Sequence, residues 1–260
     1  MTTLIHPLFA ANAFQFAIEK ATPEGKATIG ALLILSLFSW TIIITKFRQL
    51  HIARKAARKF FAAYGATRDP LDIKKRGEEF DGAPAYELYI RGADELAYQL
   101  ENNPVTVKGD RRISMASFEA VKVALEEAAS GEAMALEKGM IVLSTAVAGG
   151  PFIGLLGTVW GVMSTFAGIA ESRAATLTAM APGVAAALVA TVTGLLVAIP
   201  AMFAYNFMVT TIRAITQELD GYATRYATQI VHGYVDNRDL EDKIAMALTR
   251  SEMGENTPAI

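Results

Sequence analysis

Three long apolar segments dominate the pattern of the chain. Ala27 to Thr45 is a run of 19 residues without a charge, Gly139 to Ala170 is a run of 32, and Ala174 to Ile212 is a run of 39. A helix needs about 20 apolar residues to cross the hydrocarbon core of a bilayer. We therefore predict an all-α membrane protein with three transmembrane helices and long helical extensions outside the membrane.

The basic residues predict how the chain is oriented. Seven of them follow the first apolar segment with no acidic residue among them, whereas Lys20 and Lys26 precede it beside two glutamates. Cytoplasmic loops carry the excess of Lys and Arg. The predicted segments are a periplasmic amphipathic segment 1–26, a first span 27–45, a cytoplasmic helical region 46–138, a second span 139–170, a periplasmic turn 171–181, a third span 182–212 and a cytoplasmic extension and tail 213–260.

The polar region between the first two spans is predicted to be helical throughout. Asn103 and Pro104 open a loop that carries Lys108 to Arg112, and a long helix from Ser114 to Glu137 leads into the second span. The third span continues as a helix beyond Ile212, because apolar residues keep steps of three and four. That stripe is expected to pack on the helix before the second span.

Small residues occupy one face of each of the last two spans. Steps of three and four place them together, and close helix contacts in membranes use such faces. On these grounds we predict helix packing and a stable homo-oligomer. The residues are Gly154, Gly157, Thr158, Gly161, Thr165 and Gly168 in the second span, and Gly183, Ala187, Ala190 and Gly194 in the third.

Composition excludes several functions. The chain has 260 residues, 52% of them apolar, a formal charge of -2 and no cysteine, so neither a nucleic-acid partner nor a disulfide framework is expected. Three scattered histidines make a metal site improbable. No phosphate loop, zinc spacing or nucleophile elbow is present, so we expect no enzyme activity and no cofactor.

Thr158 and Thr191 are the polar residues at membrane depth that stand out, since each lies on or beside a small-residue face. Two interpretations stay open for them. A threonine in a membrane helix commonly bonds its own backbone carbonyl, or the two hydroxyls hydrate an ion path without carrying charge. None of the three spans contains an Asp, Glu, His, Lys or Arg. A proton relay needs one, so this subunit is not the complete relay.

Two long strings resemble a known family. G-P-F-I-G-L-L-G-T-V-W-G-V-M begins at Gly150 and M-A-P-G-V-A-A-A-L-V-A-T-V-T-G-L-L-V-A-I-P-A-M-F-A-Y-N begins at Met180. They are similar to the TolQ/ExbB branch of the MotA/TolQ/ExbB proton channel family. The resemblance implies a pentamer in the bacterial inner membrane around two copies of a single-span TolR/ExbD-like partner, which moves as ions flow. Thr158 and Thr191 would then be pore-lining hydroxyls, and membrane lipid would surround the oligomer.

Ala186 departs from the family pattern, because A-P-G-I-A-E-A-L usually has glutamate at this position. Its loss removes a ring of carboxyls from the pore, although MotA-type relatives work without that glutamate. An ion-driven motor subunit and a non-conducting scaffold that still binds the partner therefore both remain open. The sequence also leaves open the coupling ion, proton or sodium, the envelope process, the role of the cytoplasmic helices in partner binding, and whether Ala186 is native or engineered.

Overall fold

The structure is a computed structural model that describes residues 22–107, 109–172 and 177–236. Predictions for residues 1–21, for Lys108, for residues 173–176 of the turn and for the tail 237–260 lie outside the described residues. The described part of the chain forms helices α1 (Pro23–Gly65), α2 (Asp72–Arg76), α3 (Pro84–Asn102), α4 (Met115–Glu137), α5 (Met140–Ser172) and α6 (Leu177–Tyr234), with strands β1 (Pro104–Val107) and β2 (Asp110–Ile113) between α3 and α4.

Three of the helices are long and apolar enough to cross a membrane. They are α1, α5 and α6, whose most apolar windows have mean hydropathies of 2.2, 1.8 and 2.2. Helix α1 starts where the sequence favours a start, because the Thr22 hydroxyl accepts a hydrogen bond from the Gly25 N–H and Pro23 occupies the first turn. The all-α class with three membrane helices is confirmed.

Helices α4 and α5 are separate helices, and α4 corresponds to the helix predicted from Ser114 to Glu137. Helix α4 ends at Glu137 and α5 begins at Met140. Between them Gly139 has φ 87°, a backbone conformation that favours glycine. A residue with positive φ cannot continue a right-handed helix, so α4 and α5 do not form one continuous helix.

The chain divides into two compact units, which we describe separately. The membrane unit contains the described residues up to His51 and from Leu136 to Arg213, and the polar unit contains Ile52 to Ala135 and the described residues from Ala214 onward. Large apolar side chains of the membrane unit point outward, including Leu37 (71% exposed), Phe152 (71%) and Phe203 (67%). Its buried positions include small residues such as Ala190 and Ala201 beside larger ones such as Leu143.

An aromatic cluster forms the core of the polar unit. Phe60 lies at its centre and is fully buried, with its ring centroid 5.5 Å from that of Tyr222 in an edge-to-face arrangement. Tyr226 stacks on Tyr222 at 5.8 Å, and its hydroxyl donates to the carbonyl oxygen of Pro70. Aromatic pairs at these distances each stabilise a core by about 0.5–1.5 kcal/mol beyond area burial.

The loop predicted after Asn103 is a β-hairpin, which corrects the expectation of an entirely helical polar region. Strand β1 pairs antiparallel with β2, with Val105 opposite Arg112. β-Branched residues at 105–107 favour a strand, and Gly109 supplies φ 93° at the turn. Ile113 also forms a parallel bridge to Val235, so the end of α6 is tied to the hairpin.

Candidate ion pathway

Helices α5 and α6 meet through their small-residue faces. A methyl group added at Gly154 would lie 3.0 Å from the carbonyl oxygen of Ala190 and 3.3 Å from Cα of Gly194. One added at Gly161 would lie 2.8 Å from Cβ of Ala187. These separations are shorter than ordinary van der Waals contact, so the two backbones approach as closely as they do because no larger side chain lies between them.

The remaining glycines of the predicted faces differ in how closely other atoms approach them. A methyl at Gly157 would meet Ala190 of α6 at 2.6 Å and the Thr28 hydroxyl of α1 at 2.7 Å, so all three membrane helices converge there. Gly183 lies against the side chain of Thr165. Gly168, by contrast, is exposed with open space beside it. The packed face therefore ends before Gly168.

These contacts change the argument for an oligomer. The sequence argument assumed that the small-residue faces require other copies of the chain to cover them. In the structure the two faces cover each other within one chain. The small residues are therefore explained by the packing of α5 on α6 within one chain, and by themselves they do not require an oligomer.

Thr158 and Thr191 lie together across the α5–α6 contact. Their hydroxyl oxygens form a hydrogen bond with each other. The Thr158 hydroxyl also lies 3.2 Å from the carbonyl oxygen of Gly154 and 3.1 Å from that of Ala187, and the Thr191 hydroxyl lies 3.3 Å from the Gly154 carbonyl. Two hydroxyls and two carbonyls thus form one oxygen cluster. Both threonines were named from the sequence, but their contact with each other was not predicted.

The cluster differs from the other threonine sites of these helices. Thr145 and Thr193 each donate only to the carbonyl oxygen four residues earlier, at 2.8 Å, among the hydrogen bonds of the described residues. Thr158 makes the same kind of local contact with Gly154, but Thr158 and Thr191 also join two helices, and both are half-buried. Neutral oxygens in this arrangement can accept or donate a hydrogen bond but cannot hold a charge alone.

Ala186 lies beside this contact. Its side chain is 8% exposed, whereas Ala187, the next residue, faces Gly161. The Ala186 methyl group is therefore enclosed by the subunit itself. With alanine here, the three spans contain no carboxylate.

Comparison with known proteins agrees with the motifs. A sequence model of the MotA/TolQ/ExbB proton channel family matches residues 97–221. The Tol-Pal system protein TolQ of Haemophilus influenzae is 33% identical over 219 residues, which cover 82% of this chain and 91% of that protein. The biopolymer transport protein ExbB of Neisseria meningitidis is 31% identical over 222 residues, or 80% and 93% of the two chains. The chain belongs to the MotA/TolQ/ExbB proton channel family.

As a member of a channel family, the chain carries its candidate site on membrane helices rather than in a catalytic cleft. Among the described residues no group of three or more His, Cys, Asp or Glu could hold a metal ion. The oxygen cluster of Thr158 and Thr191 thus remains the candidate site of this TolQ/ExbB relative.

Two contacts within the membrane unit were not predicted from the sequence. Thr28 of α1 reaches the Gly157 position, and its hydroxyl bonds the Gly25 carbonyl at 2.8 Å. Lys46, one of the seven basic residues used to predict the orientation, is 7% exposed, and its Nζ donates to the Leu136 carbonyl at 3.0 Å. Lys46 is the first charge after the apolar segment, and a snorkelling lysine at that place was the available signal.

Proposed function

We propose that this chain is the TolQ/ExbB-like subunit of a proton-driven motor in the bacterial inner membrane, which moves a single-span TolR/ExbD-like partner and energises a process of the cell envelope. The observation that carries the proposal is the absence of Asp, Glu, His, Lys and Arg from the three spans. A proton path across the bilayer needs a titrating group. The partner therefore supplies the carboxylate, and this subunit supplies the neutral path around it.

The threonine pair is the part of the subunit that suits this role. A carboxylate that moves out of water loses hydration, and nearby hydroxyls replace part of it. Thr158 and Thr191 are close enough to exchange their mutual hydrogen bond for one to a third group. We place five copies of the subunit around two copies of the partner, with the amino terminus in the periplasm, on the family resemblance.

The test removes each hydroxyl while keeping its shape. Thr158→Val and Thr191→Val should abolish proton flux in liposomes that contain the subunit with its partner, while the partner complex still assembles. The matched controls are Thr145→Val on α5 and Thr193→Val on α6, whose hydroxyls bond only their own helix in the described structure. The controls should keep normal flux.

Serine variants separate the hydroxyl from the volume of the side chain. Thr158→Ser and Thr191→Ser should retain more flux than the valine variants, since they keep the donor and the acceptor. Normal flux in both valine variants would remove the pair from the ion path and leave it as packing. An assembled complex whose partner span has no carboxylate would contradict the motor proposal as a whole.

A non-conducting scaffold is the second candidate, and Ala186 favours it. The family glutamate is absent there, and the methyl group is enclosed at 8% exposure. Ala186→Glu tests this candidate directly in the same flux assay. A gain of flux from an inactive starting protein would mean that the alanine disabled the channel, whereas loss of flux from an active one would mean that the path works without the charge.

A further inference from the structure

A pocket of about 350 Å³ lies at one end of the membrane unit, where the charge-free run of α5 begins and that of α6 ends. Its lining comes from Glu137, from the beginning of α5 and from the part of α6 between Tyr205 and Arg213. The lining residues are Glu137, Met140, Ile141, Ser144, Tyr205, Val209, Ile212 and Arg213. Its place corresponds to the boundary between hydrocarbon and polar headgroups.

The polar part of the lining carries one charge of each sign. Glu137 and Arg213 are both exposed, and neither forms an ion pair within 4.0 Å among the described residues. Tyr205 adds a phenol hydroxyl. The Ser144 hydroxyl donates its hydrogen to the Ile141 carbonyl at 2.9 Å, and its oxygen can accept a further hydrogen bond.

The apolar part of the lining continues toward the membrane. Met140 and Ile212 are buried at 7% and 3% exposure, while Ile141 is 73% exposed. The pocket therefore has a polar end, which carries the two charges, and an apolar flank, which is the exposed Ile141. A soluble anion would leave this flank uncovered, whereas an acyl chain would cover it.

We propose that this pocket binds the headgroup of a zwitterionic phospholipid that carries a primary ammonium group, phosphatidylethanolamine in chemical class. Arg213 pairs with the phosphate, for which a guanidinium fork is well suited. Glu137 accepts the ammonium N–H groups, and one acyl chain runs along Ile141. A choline headgroup has no N–H to donate to Glu137, and an anionic headgroup leaves that carboxylate without a partner.

The experiment counts lipids that stay bound to the full-length protein. The purified protein is placed in detergent micelles that contain equal mole fractions of phosphatidylethanolamine, phosphatidylcholine or phosphatidylglycerol, and native mass spectrometry measures retention of each. A charge-assisted hydrogen bond corresponds to about a tenfold change in affinity. We expect phosphatidylethanolamine to be retained about tenfold better than the other two lipids.

Variants assign the two charges. Arg213→Gln should lower phosphatidylethanolamine retention about tenfold, and Arg213→Lys should lower it less, because the charge is kept without the fork. Arg48→Gln removes an exposed arginine of the same unit outside the lining and should change nothing. Glu137→Gln should bring phosphatidylethanolamine down to the phosphatidylcholine level, while Glu24→Gln, at an exposed glutamate elsewhere in the unit, should not.

Several results would overturn the proposal. Equal retention of the three lipids, or equal losses in Arg213→Gln and Arg48→Gln, would mean ordinary lipid contact. Highest retention of phosphatidylglycerol would mean an anion site. Displacement of the bound lipid by soluble phosphoethanolamine at equal concentration would exclude the acyl-chain contact. A change in the number of associated subunits with unchanged lipid retention would assign the pocket to a second copy of the chain. Circular dichroism checks that each variant keeps its helices.

Discussion

Gly161→Ala tests the close α5–α6 contact with the smallest possible change. The added methyl would lie 2.8 Å from Cβ of Ala187, which is 0.6 Å inside the 3.4 Å where ordinary contact begins, and 3.2 Å from its Cα. Ala187 is 2% exposed and lies in a helix, so it has little freedom to move. Overpacking of this kind costs about 1–3 kcal/mol. Gly161→Leu should cost more and should separate the helices.

The matched control is Gly149→Ala in the same helix, where no heavy atom lies within 4 Å of the new methyl. Both changes replace glycine by alanine in α5, so the gain in helix propensity is nearly the same and cancels in the comparison. Gly161→Ala should therefore be less stable than Gly149→Ala by about 1–3 kcal/mol. Thermal unfolding in mild detergent, followed by circular dichroism, measures the difference.

A second substitution identifies the contact that is responsible. Ala187→Gly removes the methyl that clashes, so the double variant should regain part of the stability lost by Gly161→Ala, a coupling that neighbouring residues show and distant ones do not. Equal stability of Gly161→Ala and Gly149→Ala would refute the close approach of the helices. Absence of coupling with Ala187→Gly would place the effect elsewhere.

Three further outcomes are expected. Impermeant thiol reagent in intact cells should modify a single cysteine placed at Ser172 and spare one at Asn103, and the reverse labelling would refute the orientation. Burial raises the pKa of Tyr89 to about 12 from an ordinary 10.0. The contribution of its neutral phenol to folding stability is therefore complete below pH 10 and is lost as the pH rises through about 12. Tyrosinate absorbance and circular dichroism should change together for this residue, and ionisation of Tyr89 while the protein is still folded would contradict the prediction. Lys46→Met leaves the Leu136 carbonyl without its 3.0 Å donor and should cost about 1–3 kcal/mol in the unfolding assay, whereas Arg48→Met, at an exposed position, should have little effect.

The three membrane helices could be predicted because the property that defines them is local. A run of 19 or more residues without a charge is long enough to span the bilayer whatever it packs against. The β-hairpin could not be predicted in the same way. Its strands have four residues each, too few for a period of two to be distinguished from a helical turn. The break at Gly139 depends on a positive φ, which a glycine permits but does not require.

The candidate site shows the same division. Spacing alone placed Gly154, Gly157 and Gly161 on one face of a helix, and the structure has them in contact with α6. Spacing did not show whether that face contacts the same chain or another copy. A periodic set of small residues indicates that a face is buried, but not which helix buries it. The bond between Thr158 and Thr191 joins residues 33 positions apart, so it exists only after the chain has turned back on itself and the two glycine-rich backbones have met.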